Sequence, residues 1–418
     1  MDDDPEREMV PMLHQKATIE TCLSQRSTLV ACGIGTGKTA IGIGCLDPDR
    51  RSLVVVPASL KHNWVDEIGL WEPSWEVDVS GKDVPKPGIH VCSYNDLIDL
   101  WGYKYDVVVA DEAHYVKNPG ARRTKRLQHI LDHAQRVVLM TATPALNNVG
   151  ETRNLLALMG YPDSPTDPLR LNEYMVRNGL MVRVRLSDII DIVEPEFCRI
   201  NVELHSVDEI VRLTNDIRDL YVCSGSDFGK MWDEYRPVLV GKLTQIRKHV
   251  GIAKIADAVV EIDAHVKAGR NIIVFAHHRH VLESLAETFD APLLYGSTSL
   301  TKRHELVQEF QDGKHKVIIC SILAAGVGIT LTKSHHVMFV EFPWTPSDYD
   351  QAYGRAHRKG QENQVHVIDL VANHRVDQRH IELLEQKRGI CDTITDGDPQ
   401  YSATTMQKTL LRSIVEAN

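Results

Sequence analysis

A glycine-rich turn between an apolar run and a helix start is the first segment that could do chemistry. In "TLVACGIGTGKTA", Gly35 and Gly37 let the backbone curl so that amide groups point inward at phosphate oxygens. Lys38 would then reach the β- and γ-phosphates, and the Thr39 hydroxyl would bind magnesium. The strict pattern would place glycine where this chain has Cys32. The segment predicts a phosphate-binding loop, with an incidental glycine-rich turn as the alternative.

Two adjacent carboxylates at the end of an apolar run are the second such feature. The segment "VVVADEAHYVKN", residues 107 to 118, places Asp111 and Glu112 after residues that favour a buried strand. In a fold with a phosphate-binding loop, the first acid would hold magnesium and the second would accept a proton from the attacking water. Two solvated acids are the alternative, which the upstream loop in the same strand pattern disfavours.

The segment "MTATP", residues 140 to 144, places small hydroxyl side chains after another apolar run. These hydroxyls could hydrogen-bond to Asp111 or His114 and sense a phosphate. They could equally close an ordinary strand-end turn at Pro144. Taken alone, the segment favours the turn.

A basic segment far along the chain could act on the same phosphates. In "DYDQAYGRAHRKGQ", residues 348 to 361, Gln351, Arg355 and Arg358 have the i, i+4, i+7 spacing of one helix face. Two guanidinium groups on one face match the charged oxygens of a phosphoryl group in transfer. Arginines lent by a second domain would make hydrolysis depend on domain closure. A solvated basic helix is the alternative.

Strand-like apolar runs recur in two blocks and predict an α/β fold with two parallel sheets. The runs are "STLVAC", "RSLVVVP", "GIHVCSY", "DVVVADE" and "RVVLMTATP", then "NIIVFAHH", "APLLYGS", "KVIICSI", "HVMFVEF" and "QVHVIDLV". Strands this apolar are typical of parallel sheets covered by helices on both faces. Between the blocks, apolar residues recur at helical spacing. We predict an N-terminal lobe over 1–162, a helical insertion and linker over 163–252 and a C-terminal lobe over 253–418.

Composition excludes several classes of protein. The chain has 418 residues, 43% of them hydrophobic, and a net charge of −10. No apolar run approaches the ~18 residues of a membrane span, and the acidic start is unlike a signal peptide. The eight cysteines include no C-x-x-C pair, so neither a zinc site nor a disulfide framework is indicated. One local basic segment, "KNPGARRTKR" at 117–126, fits either a DNA-facing surface or a solvated helix face.

The order of these segments resembles the helicase-like superfamily 2 ATPases, and more narrowly the Swi/Snf-type translocases on double-stranded DNA. The matching segments are "GIGTGKT", "SLKHNWVDEIGLW", "DEAH", "HYVKNPGARRTKRL", "TATP", "PALNNVGETRNLL", "VIICSILAAGVGITLT" and "VEFPWTPSDYDQAYGRAHRKGQ". The last of them is most similar to the annealing-helicase branch. The resemblance runs from residue 9 to residue 390 and implies a motor core of two tandem RecA-like domains.

The resemblance and the motifs together indicate the site residues. Those expected to bind ATP are Gln15, which would read adenine, and Gly35, Thr36, Gly37, Lys38, Thr39, Asp111, Gly328, Arg355 and Arg358. Those expected to hold Mg²⁺ are Thr39 and Asp111. Those expected to be catalytic are Lys38, Glu112 and the arginine fingers Arg355 and Arg358. Those expected to contact DNA are Ser93, Lys117, Arg122, Arg123, Thr141, Gly326 and Trp344.

Some positions depart from the resembled pattern or allow a second interpretation. The family's Asp-Glu pair before the loop is replaced here by Cys32 and Gly33. Its third motif is usually threonine-glycine-threonine, whereas this chain has Thr-Ala-Thr at 141–143, as in broader helicases. Trp344 could be a core tryptophan instead of a DNA contact. Gln361 ends the last motif and is expected to couple the two lobes.

The resulting expectation is a DNA-stimulated ATPase that moves as a monomer on double-stranded or branched DNA. Phosphate contacts would give little sequence preference and strong salt sensitivity. No membrane partner is expected, and the small size fits the cytoplasm of a prokaryotic or phage-infected cell. A strand-separating helicase on DNA or RNA, and an ATP-binding regulatory module with little turnover, are the alternatives.

Overall fold

The computed structural model divides the chain into two compact units. One comprises Met1–Asp191 and Gly389–Tyr401, and the other comprises Ile192–Arg388 and Ser402–Asn418. The residues that the structure describes are 9–79, 87–100, 102–145, 148–205, 207–322, 324, 329–397 and 406–415.

The first unit contains a seven-stranded sheet with helices on both faces. Its elements are α1 (Leu13–Ser24), β1 (Ser27–Val30), α2 (Lys38–Gly44), β2 (Arg51–Val56), α3 (Lys61–Trp71), β3 (Val77–Asp78), β4 (Gly88–Ser93), β5 (Val107–Ala110), α4 (Arg122–Leu131), β6 (Arg136–Met140), α5 (Val149–Leu158), α6 (Pro168–Arg177) and β7 (Met181–Val182). The strand order is β3-β4-β2-β5-β6-β1-β7, and the pairs described are parallel.

The central strands of this sheet are buried on both faces, as their apolar sequences predict. Side chains alternate between two cores: Leu29 and Val108 face one cluster, while Val30 and Val109 face the other. A sheet covered on both faces needs apolar residues at every strand position. The α/β fold with parallel sheets is therefore confirmed.

The second unit contains a six-stranded sheet built in the same way. Its elements are β8 (Glu196–Val202), α7 (Asp208–Cys223), α8 (Phe228–Ala253), α9 (Ile255–Lys267), β9 (Ile272–Ala276), α10 (Arg279–Phe289), β10 (Leu293–Leu294), α11 (Leu300–Gln311), β11 (Val317–Ser321), β12 (His336–Phe339), α12 (Pro346–Tyr353), β13 (His366–Ala372), α13 (Arg375–Asp396) and α14 (Met406–Val415). The order is β10-β11-β9-β12-β13-β8, again with parallel pairs. The last residues of α13, from 389, belong to the first unit.

The boundary between the units lies at 191, inside the segment 163–252 that the sequence predicts to be a helical insertion and linker. Two edge strands explain the difference. β7 pairs with β1 in the first sheet, and β8 pairs with β13 in the second. Edge strands carry fewer buried apolar residues than central ones, so their sequences stand out less from the helices around them.

Helix α8 spans 26 residues and carries its buried apolar side chains along one side, as Leu243, Ile246 and Val250 illustrate. Such a stripe packs a helix onto a protein core.

In the part of the chain that the structure describes, no helix has the combination of length and apolar character that spanning a bilayer demands.

A buried ion pair ties the helices of the second unit to its sheet. Lys254 is fully buried, and its Nζ lies 2.9 Å from Asp377 Oδ2 and donates to the Leu370 carbonyl at 2.8 Å. The same Asp377 oxygen accepts from the Ala372 amide at 2.8 Å. Because both charges are desolvated, each depends on the other for compensation.

Substituting Asp377→Ala should destabilise the protein strongly, because it leaves the Lys254 ammonium buried without its counter-charge. We expect the free energy of unfolding to fall by about 3–5 kcal/mol, measured by urea denaturation. The control is Glu305→Gln in the exposed Lys302–Glu305 pair, which should change it by less than about 1 kcal/mol. Similar losses in both variants would contradict this role.

Candidate functional site

The glycine-rich loop, residues 32–39, leaves the carboxyl end of β1 and enters α2. Gly35 and Gly37 have φ angles of 79° and 76°, in the left-handed region that residues with side chains disfavour. The loop therefore has the curled backbone that the sequence predicts.

Two side chains of the loop are held by the loop's own backbone. Lys38 Nζ donates to the carbonyl oxygens of Cys32 at 2.9 Å and Gly33 at 2.8 Å. Thr36 is buried, and its hydroxyl donates to the same Gly33 carbonyl at 2.8 Å. Thr39 lies in the first turn of α2 and is half-buried. The lysine charge is thus fixed over the curl, where phosphate oxygens could replace its carbonyl acceptors.

The first turn of α1 packs on the glycine-rich loop. Gln15 is buried, its Oε1 accepts from the Met12 amide at 2.7 Å, and its Nε2 donates to the Gly37 carbonyl at 3.4 Å. His14 Nε2 lies 2.9 Å from the Thr36 carbonyl oxygen. Gln15 thus lies beside the loop, and its adenine contact stays a prediction.

Asp111 follows β5 at the carboxyl edge of the first sheet and is buried. Its carboxylate accepts hydrogen bonds from Trp64 Nε1 at 3.0 Å and from the Glu112 amide at 2.9 Å. Its carbonyl oxygen accepts from the Tyr94 hydroxyl at 2.7 Å. Side chains from two distant segments therefore orient this acid.

Glu112 has a left-handed backbone conformation, with φ 49° and ψ 50°. Among the described residues other than glycine, only Ser226 and Asp290 share a positive φ. Glu112 Oε2 lies 3.2 Å from His114 Nδ1. Since such a conformation costs free energy, the surrounding structure must impose it at the residue predicted to activate water.

The two hydroxyl residues predicted to contact DNA are both buried. Thr141 Oγ1 donates to the Thr143 carbonyl at 3.1 Å and accepts from the Thr143 amide at 3.1 Å. This geometry is that of a strand-end turn, the interpretation that the segment favours when taken alone. Ser93 Oγ accepts from the Asn95 amide at 3.3 Å. Their DNA contacts stay predictions.

The basic segment forms the exposed face of α4. Arg122 and Arg123 are exposed, while Thr124 on the other face is buried. Arg123 Cζ lies 5.6 Å from the centroid of the Tyr115 ring. Lys117, just before the helix, lies 3.1 Å from a carboxylate oxygen of α5. The basic segment therefore presents a positively charged surface. This surface is compatible with both interpretations of the segment, a DNA-facing surface and a solvated helix face.

The arginine segment departs from the predicted helix. α12 ends at Tyr353, so the expectation that Gln351, Arg355 and Arg358 share one helical face is wrong. The amide of Arg355 donates to a carbonyl three residues back, at 3.2 Å, and its carbonyl accepts from the Leu331 amide at 2.9 Å. These bonds replace the helical pattern and turn the chain.

Both arginines are held inside the second unit. Arg355 is buried. Arg358 Nη1 donates to the Ile329 carbonyl at 3.2 Å and to the Thr330 hydroxyl at 3.0 Å. Burial lowers the pKa of Arg358, although a guanidinium stays charged at neutral pH.

Three consecutive carbonyl groups before α12 each contact a basic side chain. Arg247, His380 and Lys387 reach the carbonyl oxygens of residues 342, 343 and 344 at 2.7, 2.8 and 3.0 Å respectively. The Trp344 ring stacks on His380 with centroids 5.1 Å apart, and Arg247 Cζ lies 3.9 Å from its centroid. Trp344 is half-buried against the core, and its DNA contact stays a prediction.

The remaining predicted residues of the second unit are Gln361, Gly326 and Gly328. Gln361 Nε2 donates to the carbonyls of Thr332 at 3.2 Å and Ser334 at 3.0 Å, so it ties the last motif to the turn before β12. Gly326 and Gly328 lie outside the described residues.

Matches to known families cover both units. Residues 12–164 match the SNF2-related domain, and residues 253–360 match the helicase conserved C-terminal domain. The chain therefore contains the SNF2-related and helicase C-terminal domains of a superfamily 2 ATPase. A solved structure, the Sulfolobus solfataricus SWI2/SNF2 ATPase core in complex with dsDNA, is 20% identical with a TM-score of 0.40, covering 97% of this chain and 96% of that one.

Related SNF2-family proteins are similar over most of this chain. The human DNA annealing helicase and endonuclease ZRANB3 is 29% identical, over 88% of this chain and 39% of that protein. The SWI/SNF-related matrix-associated actin-dependent regulator of chromatin subfamily A-like protein 1 of Xenopus tropicalis is 26% identical, over 90% and 44%. The Bacillus subtilis ATP-dependent helicase YqhH is 24% identical, over 90% and 78%. The chain thus spans about two fifths of the length of the first two.

The environment of Asp111 in this SNF2 chain suits a magnesium ion. Burial raises the pKa of Asp111 to about 6, and the charge of Glu112 adds to this, against the Trp64 hydrogen bond and the Lys38 charge. The negative charge is therefore only partly compensated, which a cation would correct. Carboxylate and hydroxyl oxygens are ligands that Mg²⁺ accepts, so Asp111 and Thr39 fit the ion chemically.

The sequence assigned no role to several residues that the structure brings to these sites. Trp64 and Tyr94 support Asp111, and Arg247, His380 and Lys387 hold the segment before α12. Trp64 stands in "SLKHNW", a segment that matches the SNF2 family, and this was the available signal. The others have no local pattern.

Gly37→Ala should destabilise the first unit because alanine at this left-handed position is strained and its Cβ would lie 2.3 Å from Gln15 Nε2. We expect a loss of about 1–2 kcal/mol in the free energy of unfolding, measured with urea. The control Gly69→Ala adds a methyl group to α3 with nothing within 4 Å and should stabilise by up to about 1 kcal/mol. Equal effects would show that the loop tolerates a side chain.

Asp111→Asn should change how stability depends on pH. Since the folded pKa of about 6 exceeds the ordinary value of 3.8, ionised Asp111 destabilises the fold at neutral pH, and this is relieved as the pH falls through 6. The difference in unfolding free energy, variant minus wild type, should therefore be about 1 kcal/mol more positive at about pH 8 than at about pH 5. The substitution thus stabilises the protein more at the higher pH. The control is Asp66→Asn, at an exposed position of α3. Parallel pH profiles for wild type and Asp111→Asn would disprove the shift.

Proposed function

We propose that this SNF2-family chain is an ATP-driven translocase on double-stranded or branched DNA. The observation that carries the proposal is the convergence of the Lys38 loop, Asp111 and Glu112 at the carboxyl edge of one parallel sheet. This edge is where α/β folds bind their ligands. A lysine, a buried magnesium-type acid and a second acid are the groups that phosphoryl transfer to water needs.

Lys38 and the glycine-rich loop would bind the phosphates of ATP. The curled backbone at Gly35 and Gly37 can approach phosphate oxygens closely. Lys38 Nζ would exchange its two carbonyl acceptors for oxygens of the β- and γ-phosphates. Charged oxygens are stronger acceptors than neutral carbonyls, which favours the exchange.

Asp111 and Thr39 would hold Mg²⁺, which supplies positive charge to the phosphate oxygens when bound. Glu112 would orient a water molecule and accept its proton as the water oxygen bonds to the γ-phosphorus. The bond from that phosphorus to the β–γ bridging oxygen breaks, and ADP and phosphate leave. Arg355 and Arg358 are the proposed arginine fingers, whose charge would stabilise the transferring phosphoryl group.

The exposed arginines of α4 support DNA as the polymer along which the protein moves. Arg122, Arg123 and Lys125 project from one exposed face on a chain with net charge −10, so this local positive surface is unlike the rest of the composition. Phosphate contacts carry no base information and allow stepping on any sequence. The relative ZRANB3 is named a DNA annealing helicase, which agrees with a nucleic-acid track.

We further propose that the protein acts as a monomer in a reducing, cytoplasmic compartment. None of the eight cysteines, all of which the structure describes, forms a disulfide bond, and six of them are buried. Scattered cysteines without disulfide bonds are typical of proteins from such compartments.

The decisive experiment measures steady-state ATPase activity without nucleic acid and with duplex, single-stranded or forked DNA, at low and high salt. We expect duplex and forked DNA to stimulate hydrolysis most, and salt to weaken the stimulation. Glu112→Gln should lower kcat by about 10²–10⁴-fold, whereas Glu20→Gln on the exposed face of α1 should leave it unchanged.

Each contrary outcome has a definite meaning. Stimulation by single strands alone would favour a strand-separating helicase over a duplex translocase. An ATPase rate unaffected by Glu112→Gln would contradict the assigned chemistry and favour an ATP-binding module with little turnover.

A further inference from the structure

Strand β7 runs beside the strand that leads into the glycine-rich loop. The amides of Leu29, Ala31 and Gly33 donate to carbonyl oxygens of residues 180, 182 and 184, each at 2.8 Å. The pairing thus continues past the end of β1 and into the loop itself. β7 is only two residues long, so it needs other contacts to hold it there.

Arg183, the residue after β7, makes contacts on two sides. Its Nη1 donates to the Ala31 carbonyl at 2.8 Å. Its Nε and Nη2 donate to the two carboxylate oxygens of Asp396 at 3.0 and 3.3 Å. One planar guanidinium therefore joins the last residue before the glycine-rich loop to the end of α13, and all of these residues belong to the first unit.

Asp396 is held as a charged group. Its side chain is 12% exposed, and Arg185 Nη2 lies 3.0 Å from Oδ1. Burial opposes ionisation, but the hydrogen bonds and charges of Arg183 and Arg185 outweigh it and lower the pKa of Asp396. The Asp396 carboxylate therefore places a fixed negative charge beside the Arg183 guanidinium, which donates to the Ala31 carbonyl.

The Ala31 carbonyl, which accepts from Arg183, is next in sequence to the two carbonyls that accept from Lys38. Ala31 is followed directly by Cys32 and Gly33, whose carbonyl oxygens accept from Lys38 Nζ at 2.9 and 2.8 Å. A displacement of Ala31 would move those two peptide groups with it, because consecutive peptide planes share a Cα atom. The position of the Lys38 ammonium thus depends on the anchor behind it.

We propose that Asp396, acting through Arg183, is a positioning residue for the glycine-rich loop. It holds the Ala31 peptide so that the loop and Lys38 keep the geometry that receives the phosphates of ATP. This inference rests on the proposed ATPase function. The hydrogen bonds described for the Asp396 side chain come from Arg183, Arg185 and Thr395, which lie outside the loop. We therefore expect its main effect on nucleotide affinity, through the position of the loop.

The test compares Asp396→Asn with Glu385→Gln. Glu385 lies on the same helix and also pairs with an arginine, Arg199, but it is exposed and belongs to the second unit. KM and kcat for ATP are measured with saturating duplex DNA, and the Kd of a fluorescent ATP analogue and the Tm are measured alongside. We expect Asp396→Asn to raise KM and Kd about tenfold while kcat changes by less than about twofold. Glu385→Gln should change none of them.

Two further variants separate positioning from general stability. Arg183→Lys keeps the charge near Asp396 but lacks the planar fork that reaches the Ala31 carbonyl as well, so it should raise Kd like Asp396→Asn. Asp396→Glu keeps the carboxylate and should restore part of the affinity. Unchanged Kd in Asp396→Asn and Arg183→Lys, or a loss that follows Tm across all variants, overturns the proposal. If the wild type binds the analogue but hydrolyses no ATP, the proposed function fails, while the Kd comparison still decides the positioning role.

Discussion

The common direction of the strands is the constraint on which the candidate site depends. In the first sheet Val30 pairs with Met140 and Ala110 with Leu139, so β1, β5 and β6 end at one level of the same edge. Whatever follows these strands must therefore meet there. The Lys38 loop and Asp111, 73 residues apart in the sequence, are therefore brought to the same edge by the direction of the strands that precede them.

Burial of the strands has a chemical consequence at that edge. A strand covered on both faces must be apolar, and an acid that follows it directly is then desolvated, as the raised pKa of Asp111 reflects. Trp64 and Tyr94 offset part of the cost by hydrogen bonding. Glu112 adds backbone strain at the next position. The first unit thus concentrates unfavourable local energies where a cation and a triphosphate could relieve them.

In the second unit, hydrogen bonds from several elements hold the segment that carries Arg355 and Arg358. Basic side chains from α8 and α13 hold three successive carbonyls before α12, and the backbone of Arg355 and the side chain of Arg358 are tied to neighbouring turns. These contacts leave little freedom to the peptide that carries the arginines. Rigid support of this kind places a charged group with small error, which stabilisation of a transferring phosphoryl group requires.

The sequence by itself determined the parallel α/β fold, the curled loop around Lys38 and the acids after β5, because each follows from local pattern: apolar runs, glycine spacing, residues at strand ends. Tertiary structure alone decided that α12 stops at Tyr353 and that edge strands β7 and β8 divide the segment 163–252 between two sheets. It also decided which distant side chains support the site, such as Trp64 on Asp111 and Asp396 on Arg183. Those outcomes depend on competition for backbone groups and on partners brought together by folding, and neither leaves a periodic trace in the chain.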